Sequence, residues 1–195
     1  MTHIIPKQRE ELSELEPMLK MVEASMGFLP TSMLTMAHWP ELTQAFGGLG
    51  ATVLHSGELD AGLKQIIAFA VSNVAGCRYC QAHTANSAQK NSVSSEKIKA
   101  VFEFESSALF SDQEKAALRV AVHAGMVPNA VEAEHMSELS RYFSEKQVIE
   151  VVAVISLFGF LNRWNDTMAT TLESAPKNFA ADQLASHGWA AGKHE

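Results

Sequence analysis

Apolar residues recur three and four positions apart along most of the chain, the spacing of one face of an α-helix. Leu12, Leu15, Leu19, Val22 and Met26 form the first such face, and Gly27 ends it. Pro30 and Pro40 bracket a short helix predicted over 31–37, and another is predicted from Glu41. Between positions 59 and 74, Leu63, Ile66, Ile67, Ala70, Val71 and Val74 share one broad face, with Asp60 placed to cap it, which predicts a buried helix. Gly76 interrupts this run, and a second helical stretch from Cys77 to about Lys90 is polar on one side and alanine-rich on the other. Further on, Ser94-Ser95-Glu96 leads into Ile98, Val101 and Phe102. Ser111-Asp112-Gln113-Glu114 has the form of a capping box before Ala117, Leu118, Val120, Ala121 and Val122, and Pro128 closes that element after Gly125. A long apolar helix is predicted over 144–164, continuing toward Leu172. With no period-two alternation, hairpin dipeptide or internal repeat, the predicted fold class is all-α, one domain over 1–195.

Composition narrows the function. The chain has 195 residues, 47% of them hydrophobic and 19% charged, which describes an ordinary folded domain rather than a disordered or fibrous one. Its 22 acidic against 15 basic residues give a net charge of −7, and no basic cluster offsets it, so nucleic acid is not an expected partner. The first residues lack the apolar core of a signal peptide, which points to a cytoplasmic setting. The longest apolar run, 148–160, is broken by Glu150, Ser156 and Gly159 and reads as a core helix, not a membrane span. Two cysteines, Cys77 and Cys80, cannot staple a domain of this size, and their spacing makes them a local motif for redox chemistry or metal binding.

That motif is the sharpest feature: Gly76-Cys77-Arg78-Tyr79-Cys80-Gln81-Ala82-His83-Thr84. On a helix Cys77, Cys80 and His83 follow one another by about a turn along one drifting face. A helix N-terminus favours thiolate over thiol, and an imidazole nearby can accept the proton or pair with the thiolate. A second thiol can trap a sulfenic acid as a disulfide before it oxidises further. Two rivals stand beside this reading: inert buried cysteines, and a zinc site using all three residues, for which no second CxxC or HxxxH supplies a fourth ligand. A thioredoxin-like fold needs βαβ alternation that the chain lacks.

The segment Leu63-Lys64-Gln65-Ile66-Ile67-Ala68-Phe69-Ala70-Val71-Ser72 followed by the CxxC stretch strongly resembles the AhpD-like, carboxymuconolactone decarboxylase superfamily, in particular its alkylhydroperoxidase or peroxidase-related branch. Gly27-Phe28-Leu29-Pro30 with Ala37-His38-Trp39-Pro40-Glu41, and Phe160-Leu161-Asn162-Arg163-Trp164-Asn165-Asp166-Thr167, look like the family's N- and C-terminal segments. The resemblance implies an all-helical homo-oligomer, a trimer or hexamer, that reduces hydroperoxides or exchanges disulfides without a bound cofactor or metal. It implies Cys80 as the peroxidatic thiol, Cys77 as the resolving one, His83 as proton acceptor, and re-reduction by an external dithiol or protein reductant. Two positions depart from the pattern: Gln65 stands where the family has a relay Glu, and Thr84 where it has a relay His, with His83 one place earlier. A dithiol that cycles, but a slower peroxidase, is the expectation.

Glu58, His123 and Tyr79 are further candidates for proton relay or support, with His55 and Glu114 as other sources of a base or carboxylate. Asn162, Arg163, Asn165 and Asp166 read chiefly as structural, at a helix end or an oligomer contact. The CxxC region is placed at about 41–125, a C-terminal helical part at about 126–175, and a tail at 176–195. Alternatives from other classes are a cofactor-free lactone decarboxylase, which needs no CxxC, and a non-catalytic zinc-binding or oligomeric protein.

Overall fold

Asp60, Ser94, Ser111 and Ser144 begin helices by one device: each side-chain oxygen accepts an otherwise orphaned N–H of the first turn, from Leu63, Lys97, Glu114 and Gln147 respectively. Ser111 with Glu114, and Ser144 with Gln147, complete capping boxes. In the computed structural model, which describes residues 2–195, the α-helices are α1 (Glu16–Met26), α2 (Thr31–Met36), α3 (Pro40–His55), α4 (Ala61–Ala75), α5 (Arg78–Lys90), α6 (Ser95–Lys99), α7 (Asp112–Gly125), α8 (Ala133–Tyr142), α9 (Glu145–Met168) and α10 (Ser174–Gln183). Short 3-10 turns join some of them, and no strand occurs among the described residues.

The hub is α4. Ile66, Ile67, Ala68, Phe69, Ala70 and Val71 are all buried, so the helix is apolar around most of its circumference and is packed against α5, α7 and α9. Burying one such large side chain stabilises the fold by roughly 1.5–3 kcal/mol. The long helix α9 buries Val151, Val154, Ile155, Leu157 and Phe158 against this hub. It is long and apolar enough to cross a membrane by length and composition. Its inner face nevertheless lies in the core against α3, α4, α5, α7 and α8, as the sequence pattern predicts.

Two features differ from the sequence expectation. The first apolar face does not form one helix: Leu12 and Leu15 lie in or beside 3-10 turns, and α1 proper starts at Glu16 because Pro17 has no N–H to give and fits only a first turn. With Leu19, Met33 and Ala37 these leucines build a small second core. Within the C-terminal part expected to be helical at about 126–175, α8 forms at 133–142, and its Leu139 reaches the main core. Positions 176–195 fold back onto the body: α10 packs along α5, and Trp189, Ala191 and His194 are buried.

Candidate active site

The dithiol sits where α4 hands over to α5. Gly76 closes α4 with φ +72°, a left-handed conformation that glycine adopts without strain, and the chain turns straight into Cys77. Cys77 is the N-cap of α5, in extended conformation, and its Sγ accepts the N–H of Cys80 at 3.5 Å. Both thiols are free and buried, at a helix end whose unpaired N–H groups favour negative charge. From α9, Asn165 directs Nδ2 to Cys80 Sγ at 3.4 Å, and Thr84 Oγ1 donates to the Cys80 carbonyl at 2.7 Å.

A residue from the far end of the chain completes the site. After α9, Ala169 takes a left-handed conformation (φ +48°) and turns the chain so that the Thr170 carbonyl accepts His194 Nδ1–H at 2.8 Å. That bond fixes the tautomer and leaves Nε2 facing the dithiol. Asp166 Oδ1 lies 3.6 Å from Nε2, and its other oxygen pairs with Lys193 at 2.8 Å. Cys77 Sγ, His194 Nε2 and an Asp166 oxygen all lie within 4.8 Å of one another. Nε2 itself is buried and has no partner in hydrogen-bond geometry.

These surroundings separate the two thiols. The Cys80 S–H, helped by the His194 imidazole and the Cys80 N–H, outweighs burial and lowers the Cys77 pKa to about 5. Burial first, and then the Cys77 sulfur beside it, push Cys80 well above the ordinary thiol value. For His194, burial pulls downward, but the Cys77 sulfur, the Thr170 carbonyl and Asp166 together raise it. The surroundings favour a thiolate at Cys77 and a protonated thiol at Cys80, and bias His194 toward its protonated form.

His83, the expected proton acceptor for Cys80, is engaged by other groups. Its Nε2 is hydrogen-bonded to Glu173 Oε2 at 2.5 Å, its ring stacks on Tyr79 at 4.2 Å, and it makes no hydrogen bond to either sulfur. Glu173 also accepts Tyr79 O–H at 2.8 Å and the Thr31 N–H. Burial pushes this carboxyl upward, but His83 and these donors hold it below the usual range. The Tyr79 ring also lies 6.0 Å from that of His194. Gln65 is buried on α4. Glu58 is exposed and pairs with Lys146, and His123 bonds the Arg119 carbonyl and packs on His135; neither touches the dithiol. His55 is exposed, and Glu114 caps α7 and pairs with Lys97. Asn165 and Asp166, read chiefly as structural, both stand at the dithiol, whereas Arg163 bonds the Gly159 carbonyl and Asn162 is buried without a partner. His194 and Glu173 had no sequence signal: neither belongs to a motif, and only the tertiary fold brings them in.

Comparison with known proteins agrees with this architecture. The sequence profile of the carboxymuconolactone decarboxylase family matches residues 40–123. The debrominase Bmp8 is 38% identical, with the likeness covering 93% of this chain and 97% of that chain at a TM-score of 0.87; its cysteine-to-alanine variant has been solved with 2,3,4-tribromopyrrole. A peroxidase-related protein with an alkylhydroperoxidase AhpD core from Ralstonia eutropha JMP134 shares the fold at 20% identity, TM-score 0.78, over 92% of this chain and 95% of its own. The uncharacterized protein YnjA of Escherichia coli (strain K12) is 28% identical over 110 residues, which are 56% of this chain and 60% of YnjA.

Proposed function

The chain belongs to the AhpD-like, carboxymuconolactone decarboxylase superfamily, and within it we propose that it is a dithiol reductase, with Cys77 as nucleophile, Cys80 as resolving thiol and His194 as proton donor. The observation that carries this reading is the Cys77–His194 juxtaposition, which sets a thiolate and an acid side by side, with the second thiol on the same helix turn. These roles reverse the order implied by the family resemblance, because the His194 imidazole is grouped with Cys77 while the His83 imidazole is bonded to Glu173.

The preferred acceptor is a halogenated heteroaromatic of the bromopyrrole class, supported by the Bmp8 likeness over nearly the full length of both chains. The Cys77 thiolate attacks bromine; the carbon–bromine bond breaks, its electron pair stays on carbon, and carbon takes the proton of His194. Cys80 then attacks the Cys77 sulfur, releasing bromide, while its proton passes to His194. The balance is one aryl bromide and two thiols to one aryl–H, one disulfide and hydrogen bromide, and an external dithiol resets the pair. A hydroperoxide is the second reading, supported by the AhpD-type fold and the same thiolate–acid pair: thiolate takes the outer oxygen, His194 protonates the leaving alkoxide, and Cys80 condenses with the sulfenic acid. A reducing, cytoplasmic setting suits either reaction.

Assay of the reduced protein with excess dithiothreitol separates them. Release of bromide and a pyrrole with one bromine fewer from 2,3,4-tribromopyrrole, faster than turnover of cumene hydroperoxide, supports the first reading. Hydroperoxide turnover without debromination selects the second, and turnover of neither overturns the dithiol-reductase reading.

A further inference from the structure

We propose that the reduced site also binds a thiophilic divalent cation of the zinc class through Cys77 Sγ, His194 Nε2 and Asp166 Oδ1, and that occupancy slows the dithiol. Three atoms of three different ligand types, a sulfur, an imidazole nitrogen and a carboxylate oxygen, already lie within 4.8 Å of one another. Around tetrahedral zinc, with bonds of about 2.0–2.3 Å, ligand atoms stand roughly 3.3–3.7 Å apart, so side-chain rotations of about an ångström close the site.

A second observation points the same way. His194 is only 1% exposed, yet its Nε2 has no hydrogen-bond partner and is aimed between the other two groups. Its Nδ1–H is held by the Thr170 carbonyl at 2.8 Å, the outer contact that orients a metal-binding imidazole. Asp166 keeps its other oxygen on Lys193, so Oδ1 can ligate without losing that pair. Cys80 Sγ is engaged by Asn165, which leaves water for the fourth position. One thiolate and one imidazole select zinc-like cations over magnesium or calcium. A sulfur bound to the metal shares its lone pair with the cation and is a weaker nucleophile than the free thiolate, so the cation holds the dithiol reduced and slow to react. The inference requires only reduced Cys77 and is independent of the substrate proposed above.

The test uses full-length, metal-free protein reduced with a phosphine and titrated with Co²⁺, then with Zn²⁺ in competition. The expected result is one ion per chain by native mass spectrometry and a thiolate-to-cobalt charge-transfer band that Zn²⁺ abolishes. Cys80→Ser is expected to retain the band, Cys77→Ser to lose it, and His194→Gln and Asp166→Asn to weaken binding at least tenfold. Thermal melts of the metal-free variants establish that they are folded. Absence of the band in wild type, or a band of unchanged affinity in folded His194→Gln and Asp166→Asn, overturns the proposal. Disulfide formation by diamide in the metal-free protein, scored separately by mass, reports on the dithiol itself, so loss of metal binding alone leaves the reductase reading intact.

Discussion

His194, the penultimate residue, lies with its Nε2 within 4.8 Å of the sulfur of Cys77, the residue that caps α5. This contact brings the segment after α10 into the redox site, and it contributes to the pH behaviour. Cys77 has a depressed pKa, so its contribution to stability is complete above the unfolded thiol value of about 8.5 and is lost as pH falls through about 5. His194 has a raised pKa, so its contribution is complete below about 6.5 and is lost as pH rises through its higher folded value. The ion pair therefore spans the interval from about pH 5 to the folded value of His194. Thiolate absorbance of the reduced protein is expected to rise with a midpoint near 5, and in His194→Gln that midpoint is expected to move up by about one unit or more. A midpoint unmoved in the variant contradicts the assignment.

Single-turnover chemistry should respond to the same substitution. Loss of a positioned proton donor costs roughly 10²–10⁴-fold in rate. His194→Gln is expected to slow disulfide formation on mixing with substrate by at least about 100-fold, and rapid quench with mass analysis measures it. His83→Gln, which leaves Cys77 and His194 in place, is expected to slow it less than tenfold.

Glu173 ties α10 to α2 and α5 through Thr31, Tyr79 and His83. A carboxyl with a depressed pKa stabilises the fold above its unfolded value and loses that contribution as pH falls through the folded one. Glu173→Gln is therefore expected to lower the melting temperature at pH 7 and to narrow its gap from wild type as the pH is taken from about 5 to 3. A gap that widens on acidification refutes the role given to this carboxylate.

The buried Lys64 holds the α3–α4 connection: its Nζ donates to the carbonyls of Val53 (2.9 Å) and Ser56 and pairs with Glu150 Oε2 at 3.2 Å. Glu150 in turn accepts the N–H groups of Glu58 and Leu59 at 2.8 and 3.0 Å. Removing one partner of a buried pair typically costs about 3–5 kcal/mol. Because Glu150 keeps two N–H donors, Lys64→Met is expected near the lower end, about 3 kcal/mol, by urea unfolding.

Local rules were readable where one side chain settles one hydrogen bond or one packing face. The caps at Asp60, Ser94 and Ser111, the start of the long helix at 144, the stop at Gly76 and the buried run from Ile66 to Val71 all stand as the pattern predicts. Spacing located Cys77 and Cys80 but does not show where the His83 ring goes. Positions 80 and 83 adjoin on α5, yet adjacency of backbone positions leaves rotamers open, and Glu173 and Tyr79 claim the imidazole while Asn165 engages Cys80. His194 is beyond any local reading, since its place depends on the left-handed turn at Ala169 and the packing of α10 along α5. Asn165 and Asp166 lay in the family-like segment, but only the inward turn of α9 shows that they face sulfur and imidazole.

The most direct test is an anaerobic single turnover of the fully reduced protein with one equivalent of 2,3,4-tribromopyrrole, followed by bromide assay and intact-mass and peptide analysis. One bromide is expected for each Cys77–Cys80 disulfide formed, with both abolished in Cys77→Ser. If neither tribromopyrrole nor an equivalent of cumene hydroperoxide in a parallel run produces the disulfide, or if Cys77→Ser reacts as fast as wild type, Cys77 is not the nucleophile of a dithiol reductase.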